Sequence, residues 1–259
     1  MGRALALTLV SLVVVAAHPH ARPAAAEPAA TDAKAARTPA KKKRAPAKPK
    51  PKAKSKSKAP TVAPIDPALG RQVADEVNRL RRDPKAYAAH LRALRPRYDG
   101  KLLRLPGRDP IRTREGIAAL DEAIGVLQRT PRRASLGWED GLARAAADHA
   151  ADIGARGNLD HYSADGSSPF DRVARHGILQ GVGGENIDVG FRDPRLVVIH
   201  LLIDDGVANR GHRDAMLDPA YRQIGVTCGP HARYGVVCVM ELAAGFVERA
   251  PPAARADRR

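Results

Sequence analysis

Three short stretches in the C-terminal half hold the residue types that can do chemistry: Asp160-His161-Tyr162-Ser163, Gly183-Gly184-Glu185-Asn186-Ile187 and Arg210-Gly211-His212-Arg213. Each sets an imidazole or a carboxylate beside glycine, aspartate or asparagine, residues suited to turns and helix ends. They are too far apart in sequence to share a helical turn, so only the fold can bring them together. Two neutral imidazoles and a carboxylate meeting in one cleft have three uses. They can hold Zn²⁺ with an open fourth position, which makes His161, His212 and Glu185 candidate metal ligands. They can do metal-free acid–base work, with Glu185 orienting a histidine that titrates near neutral pH. They can also simply hydrogen-bond one another and fix the loops around them.

Ser163, two residues from His161, is the nearest nucleophile, but no glycine-flanked elbow surrounds it, which counts against a Ser-His hydrolase. Arg213 can bind an anionic group or cap adjoining carboxylates, the second being the more ordinary role. His149 reads as a helix-face histidine near the core rather than as a ligand. Asn186 is expected to hold the Gly-Glu-Asn segment as a turn through side-chain-to-backbone hydrogen bonds.

Amphipathic spacing supplies the elements that must position these groups. Val73, Val77 and Leu80 lie on one helical face, and Asp83-Pro84 stops that helix and starts another carrying Tyr87, Leu91 and Leu94. Residues 95–113 read as a loop. Ile117, Leu120, Ile124 and Leu127 form a third helix, and Leu142, Ala146, His149 and Ile153 a fourth that ends at Gly157-Asn158. Asp165 to Pro169 reads as a turn leading into a helix capped by Ser167 or Ser168. The apolar run Leu196 to Ile203 fits either a strand or a buried helix. Ile224 to Cys228 and Tyr234 to Met240 alternate as an antiparallel hairpin. Helices first and strands near the end make an α+β domain.

The N-terminal quarter differs in kind. A basic start, an apolar run from Ala4 to Ala17 and small residues at Ala24-Ala25-Ala26 describe a secretory signal peptide over 1–26. The run is short for a bilayer span, which needs about 20 apolar residues. Residues 27–64 are mostly Ala, Lys and Pro, a composition expected to stay disordered. Between Lys34 and Lys58 there are twelve Lys or Arg and no acid. Residues 1–64 hold 14 basic and 2 acidic residues, a net of +12, so +4 of the total +16 remains for residues 65–259. The basic segment is suited to an anionic envelope surface or to spacing by self-repulsion. A nucleic-acid role is disfavoured by the export signal and by the lack of aromatic residues to stack bases. Export and the hairpin placement favour a disulfide between Cys228 and Cys238. The folded domain is expected over 65–250, with a disordered tail over 251–259.

The order Leu136-Gly-Trp138, Leu142, Ala146, His149, His161-Tyr-Ser163-Ala-Asp165-Gly166, Gly184-Glu-Asn186 and Arg210-Gly-His212-Arg213 resembles the SCP domain, or CAP superfamily, in its bacterial branch. The resemblance runs from about Ala68 to Glu248. It implies a three-layer α-β-α sandwich with a central antiparallel sheet, and a cleft holding two histidines and two acids. His161, His212 and Glu185 match three of these. The fourth acid is missing from its place in His200-Leu-Leu-Ile203, with Asp205 a poor substitute. The resemblance, with these residues and the export signal, implies an exported, secreted or periplasmic monomer that binds a small, lipid-like or envelope ligand through His161, Ser163, Glu185, His212 and Arg213, with Zn²⁺ as an optional cofactor. The competing expectation is a metal-assisted or acid–base hydrolase of envelope peptide or ester bonds.

Overall fold

The computed structural model describes residues 66–249, all in one structural unit. The expected signal peptide, the linker with Lys34 to Lys58, and the tail over 251–259 lie outside the described residues. Helix α1 (Leu69–Arg82) buries Val73, Val77 and Leu80. Its Arg81 is also fully buried and donates to the carbonyls of Ala134, Met216, Asp218 and Tyr221, tying three distant segments to one helix end. Asp83 accepts from the Ala86 N–H and Pro84 opens α2 (Pro84–Arg92), as expected from their order. Where sequence reads a loop, a short 3₁₀ turn leads into a small antiparallel sheet of β1 (Tyr98–Asp99), β2 (Leu102–Leu103) and β3 (Ile111–Arg112). Two-residue strands leave no periodicity to detect.

Helix α3 (Ile117–Arg129), strand β4 (Gly137–Trp138), helices α4 (Asp140–Arg156) and α5 (Pro169–His176), and strand β5 (Gly177–Val189) follow. Helix α5 opens on a capping box, in which Ser168 accepts from the Asp171 N–H and the Asp171 carboxylate accepts from the Ser168 N–H. Then come α6 (Pro194–Ile203), α7 (Gly211–Leu217), β6 (Gln223–Gly229) and β7 (Val237–Glu248). The main sheet runs β4-β6-β7-β5, antiparallel except for the two-residue β4, which lies parallel to β6. Helices α4 and α5 cover one face, and α1 and α6 cover the other, with α2, α3 and α7 packed around them. The fold is the expected α+β three-layer sandwich.

Successive strand residues point to opposite faces. On β7, Cys238, Met240 and Leu242 join the core under α1 and α6, while Val237, Val239 and Ala243 face α4. The ambiguous run at 196–203 is helix α6, apolar on nearly every side because it is buried between sheet and helices. Cys228 and Cys238 are directly opposed on β6 and β7 and form a disulfide.

One expectation is corrected. Gly183 to Ile187 is not a turn but the middle of the 13-residue strand β5, with a register shift between Gln180 and Gly183. Glycine is there for close approach, since a Cβ on Gly184 would sit 2.6 Å from the Tyr221 hydroxyl.

Candidate functional site

Glu185 is buried on the α4–α5 side of β5, and both of its oxygens are occupied. His161 Nδ1–H donates to Oε1 at 2.6 Å, and Arg172 Nη2 donates to Oε2 at 2.6 Å. The remaining Arg172 amine, Nη1, lies within 3.1 Å of the His161 carbonyl, the Ser167 carbonyl and Ser163 Oγ. Arg172 therefore pins the 161–167 loop to the strand. It comes from helix α5, whose capping box fixes where the side chain starts.

His149 enters the same network from α4. Its Nε2 is 2.7 Å from the Asp160 carbonyl, which can only accept, so Nε2 carries the proton. Nδ1 is then the acceptor for the Ser163 hydroxyl at 3.2 Å. Burial pushes the His149 pKa down despite the attraction of Glu185, which keeps the ring neutral. His149 is thus a member of the cluster and not merely a core histidine.

Strand pairing adds a residue with no sequence signal. Glu241 on β7 is the direct cross-strand partner of Glu185, and both are buried. Burial and the neighbouring Glu185 carboxylate push the Glu241 pKa well up. Burial alone would also raise Glu185, but His161, His149 and Arg172 outweigh it and hold Glu185 below the ordinary carboxylate range. Glu185 is the anion, and Glu241 keeps its proton.

A second set belongs to the α6–α7 layer. His212 Nδ1–H donates to Asp204 Oδ1 at 2.7 Å, and the His212 N–H donates to Asp204 Oδ2 at 3.0 Å. Asp204 adopts a left-handed backbone (φ 54°) at the end of α6, which turns its carboxylate toward α7. Asp205, the weak sequence candidate, instead accepts from the Arg114 and Glu115 N–H groups before α3. The acid paired with His212 is therefore Asp204 and not Asp205. His200 has its own partner, with Nδ1 2.5 Å from Asp188 Oδ1.

Asn186 reaches across to the His212 carbonyl, so it links β5 to α7 rather than holding a turn. Arg213 is buried and donates to the Leu202 and Ile203 carbonyls and to Glu122, capping the end of α6. The guanidinium is thus engaged within the fold, including with the Glu122 carboxylate. Ser163 sits inside the first network.

Among the described residues no three His, Cys, Asp or Glu side chains are grouped to hold a metal ion. Glu185 has both oxygens engaged by His161 and Arg172, and His161 and His212 are each hydrogen-bonded through Nδ1 to a different acid, Glu185 and Asp204.

A family model described as CAP, the cysteine-rich secretory protein family, matches residues 74–241. The chain belongs to the CAP family. The two His–acid pairs and the Gly184-Glu185-Asn186 strand all fall inside the matched CAP segment. None of the curated proteins compared with this CAP chain matches it. Two solved structures resemble it. An extracellular protein containing a SCP domain from Bacillus anthracis str. Ames is 22% identical with a TM-score of 0.35. That match covers 48% of this chain and 37% of the Bacillus chain, so the CAP chain spans little more than a third of that relative. An outer surface protein from Borrelia burgdorferi is 18% identical with a TM-score of 0.35, over 43% of this chain and 78% of that one.

Beside the CAP network, the edge of β5 and α7 border a cleft of ≈ 210 Å³ lined by Gly184, Glu185, Asn209, Asp214, Asp218 and Tyr221. Burial raises the Asp214 pKa, opposed by Arg213 and reinforced by Asp204, Glu122 and Asp218. The cleft is short of positive charge.

Proposed function

We propose that this CAP-family chain is an exported binding module that holds the amine-bearing head group of an envelope component in the cleft between β5 and α7. The observation that carries this reading is the closed state of the buried network. Glu185 is held on both oxygens by His161 and Arg172, which suits a scaffold for the cleft wall better than a free general base. The adjacent cleft presents Asp214 and Asp218, which favour a cationic donor. Export is supported by the signal-peptide pattern of residues 1–26 and by the Cys228–Cys238 disulfide, which belongs to an oxidising compartment. No helix among the described residues is long and apolar enough to cross a membrane. The segment from Lys34 to Lys58 would hold the domain near anionic surfaces.

The test is NMR titration of the full chain with ethanolamine, using N-acetylethanolamine as the uncharged control. Shifts at Asp214, Asp218 and Tyr221 with ethanolamine alone, lost in D214N/D218N, support the reading. Equal shifts with both probes, or none with either, remove it.

One observation favours a second reading, hydrolysis. The Ser163 hydroxyl donates to a neutral His149 whose tautomer is fixed by the Asp160 carbonyl. Against it, the Ser163 N–H donates to the Ser167 carbonyl and the Ala164 N–H to Asp152, so these adjacent amides cannot serve an oxyanion. An ester-library screen of wild type against S163A separates the readings, since only an enzyme loses turnover.

A further inference from the structure

A second cleft, outside the His/Glu networks, lies between the loop over 104–110 and the turn over 230–236. It measures ≈ 280 Å³ and is lined by Arg108, Asp109, Pro110, Gly190, Arg233 and Tyr234 among others. Both of its guanidinium groups are held against ring faces. Arg108 lies 4.5 Å from the centre of the Phe191 ring and donates to the Gly190 carbonyl at 3.0 Å. Arg233 lies 5.1 Å from the centre of the Tyr234 ring. Burial lowers the Arg108 pKa, while Asp188 attracts its guanidinium.

The turn that carries Arg233 and Tyr234 is built to stay in place. His231 Nδ1 accepts from the Arg233 and Tyr234 N–H groups at 3.2 Å each, so its Nε2 carries the proton and donates to the Asn158 carbonyl at 3.0 Å. Gly235 closes the turn onto the His231 carbonyl with φ 80°, a left-handed conformation that favours glycine. The Cys228–Cys238 disulfide clamps the base of the hairpin, and the Gly190 N–H donates to the Val236 carbonyl to join the turn to β5. Such a framework positions recognition groups before a ligand arrives, which lowers the ordering cost of binding.

We infer that this cleft binds an acidic sugar, a hydroxylated ring carrying one phosphate or carboxylate group. Two guanidinium groups and one carboxylate leave the cleft a single net positive charge, matched to one anionic group. Planar guanidinium forks suit both phosphate and carboxylate oxygens. Asp109 would oppose a bare anion, yet it suits a ligand whose hydroxyls donate to it while the acid lies between Arg108 and Arg233. Pro110 supplies an apolar face for the body of the ring, with Tyr234 bordering it. The site is independent of the amine cleft beside α7, and failure of ethanolamine binding would leave it untouched.

The experiment is a residue-resolved NMR titration of the full chain with glucose 6-phosphate and with glucuronate, using glucose and inorganic phosphate as controls. Residue resolution separates this cleft from the basic segment between Lys34 and Lys58. At least one acidic sugar should shift the Arg108, Arg233 and Tyr234 signals saturably, roughly fivefold more tightly than inorganic phosphate, while glucose shifts none. The tighter of the two sugars identifies the acid group. R233Q, an exposed change that leaves the turn's backbone bonds in place, should weaken binding about fivefold or more. D109A should erase the preference for the sugar over inorganic phosphate. The inference is overturned if neither acidic sugar moves these signals, if inorganic phosphate binds as tightly as both sugars, or if R233Q binds like wild type.

Discussion

Two carboxyl groups facing each other in a dry interior cannot both ionise, and Glu185 and Glu241 divide the roles by their neighbours. Glu185 has Arg172 and His161 on its oxygens, whereas Glu241 has mainly Glu185 and apolar surroundings. The pH dependence of stability follows from the raised Glu241 pKa. Below the ordinary carboxylate range Glu241 is protonated whether folded or unfolded, and its burial is tolerated. As pH rises through that range, the unfolded carboxyl ionises while the folded one keeps its proton, so this residue lowers stability progressively until the folded pKa is reached. E241Q keeps a neutral donor toward Glu185 and removes the titration. It should match wild type near pH 3 and become steadily more stable than wild type through neutral pH, measured by urea unfolding at each pH. A constant difference across pH would mean that Glu241 does not titrate between the folded and unfolded states. This pair was not legible in the sequence. Glu241 is 56 residues from Glu185 and has no motif of its own; only the register of β5 against β7 makes them neighbours.

At the scale of elements, what could be read was whatever repeats within a few residues. Asp83-Pro84 announced a helix start, and Asp193-Pro194 opens α6 by the same device, with Asp193 accepting from the Arg195 and Leu196 N–H groups. That second signal would have decided the ambiguous run at 196–203 in favour of a helix. Strand β5 was missed because its glycines look like turn residues until the neighbours that require them are known. His161 and Glu185 were found through their motifs, and they do meet. Arg172 and Asp204 were not found, since one lies inside an ordinary amphipathic helix and the other in a left-handed helix end. Gly225 on β6 makes the same point about glycine. It pairs with Glu241, and a Cβ there would sit 2.1 Å from the Ala143 nitrogen and 2.4 Å from the Leu142 carbonyl carbon, both backbone atoms of α4. G225A must push α4 off the sheet and should cost about 3 kcal/mol or more in chemical denaturation, with the His161–Glu185 network loosened alongside. A loss below about 1 kcal/mol would show that α4 moves freely against the sheet.

Over the whole molecule, charge is divided unevenly along the chain. The first 64 residues carry a net of +12, and the rest of the chain +4. The basic residues of the folded part are largely engaged with acids or carbonyls, as Arg81, Arg172, Arg210 and Arg213 show. Attraction to an anionic surface should therefore come from the twelve Lys and Arg between Lys34 and Lys58. Each basic residue near such a surface contributes about 1 kcal/mol, and the field decays over a Debye length of about 10 Å at 0.1 M salt and about 3 Å at 1 M. The full chain should thus cosediment with phosphatidylglycerol-containing vesicles at 0.1 M salt, lose at least about tenfold in affinity at 1 M, and ignore zwitterionic vesicles. Replacing those twelve residues by glutamine should abolish binding while leaving the melting temperature unchanged, because a segment of this Ala, Lys and Pro composition is not expected to contribute to a packed core. Binding that persists in the glutamine variant would move the membrane contact onto the folded domain, where the Arg108–Arg233 cleft is the first surface to examine.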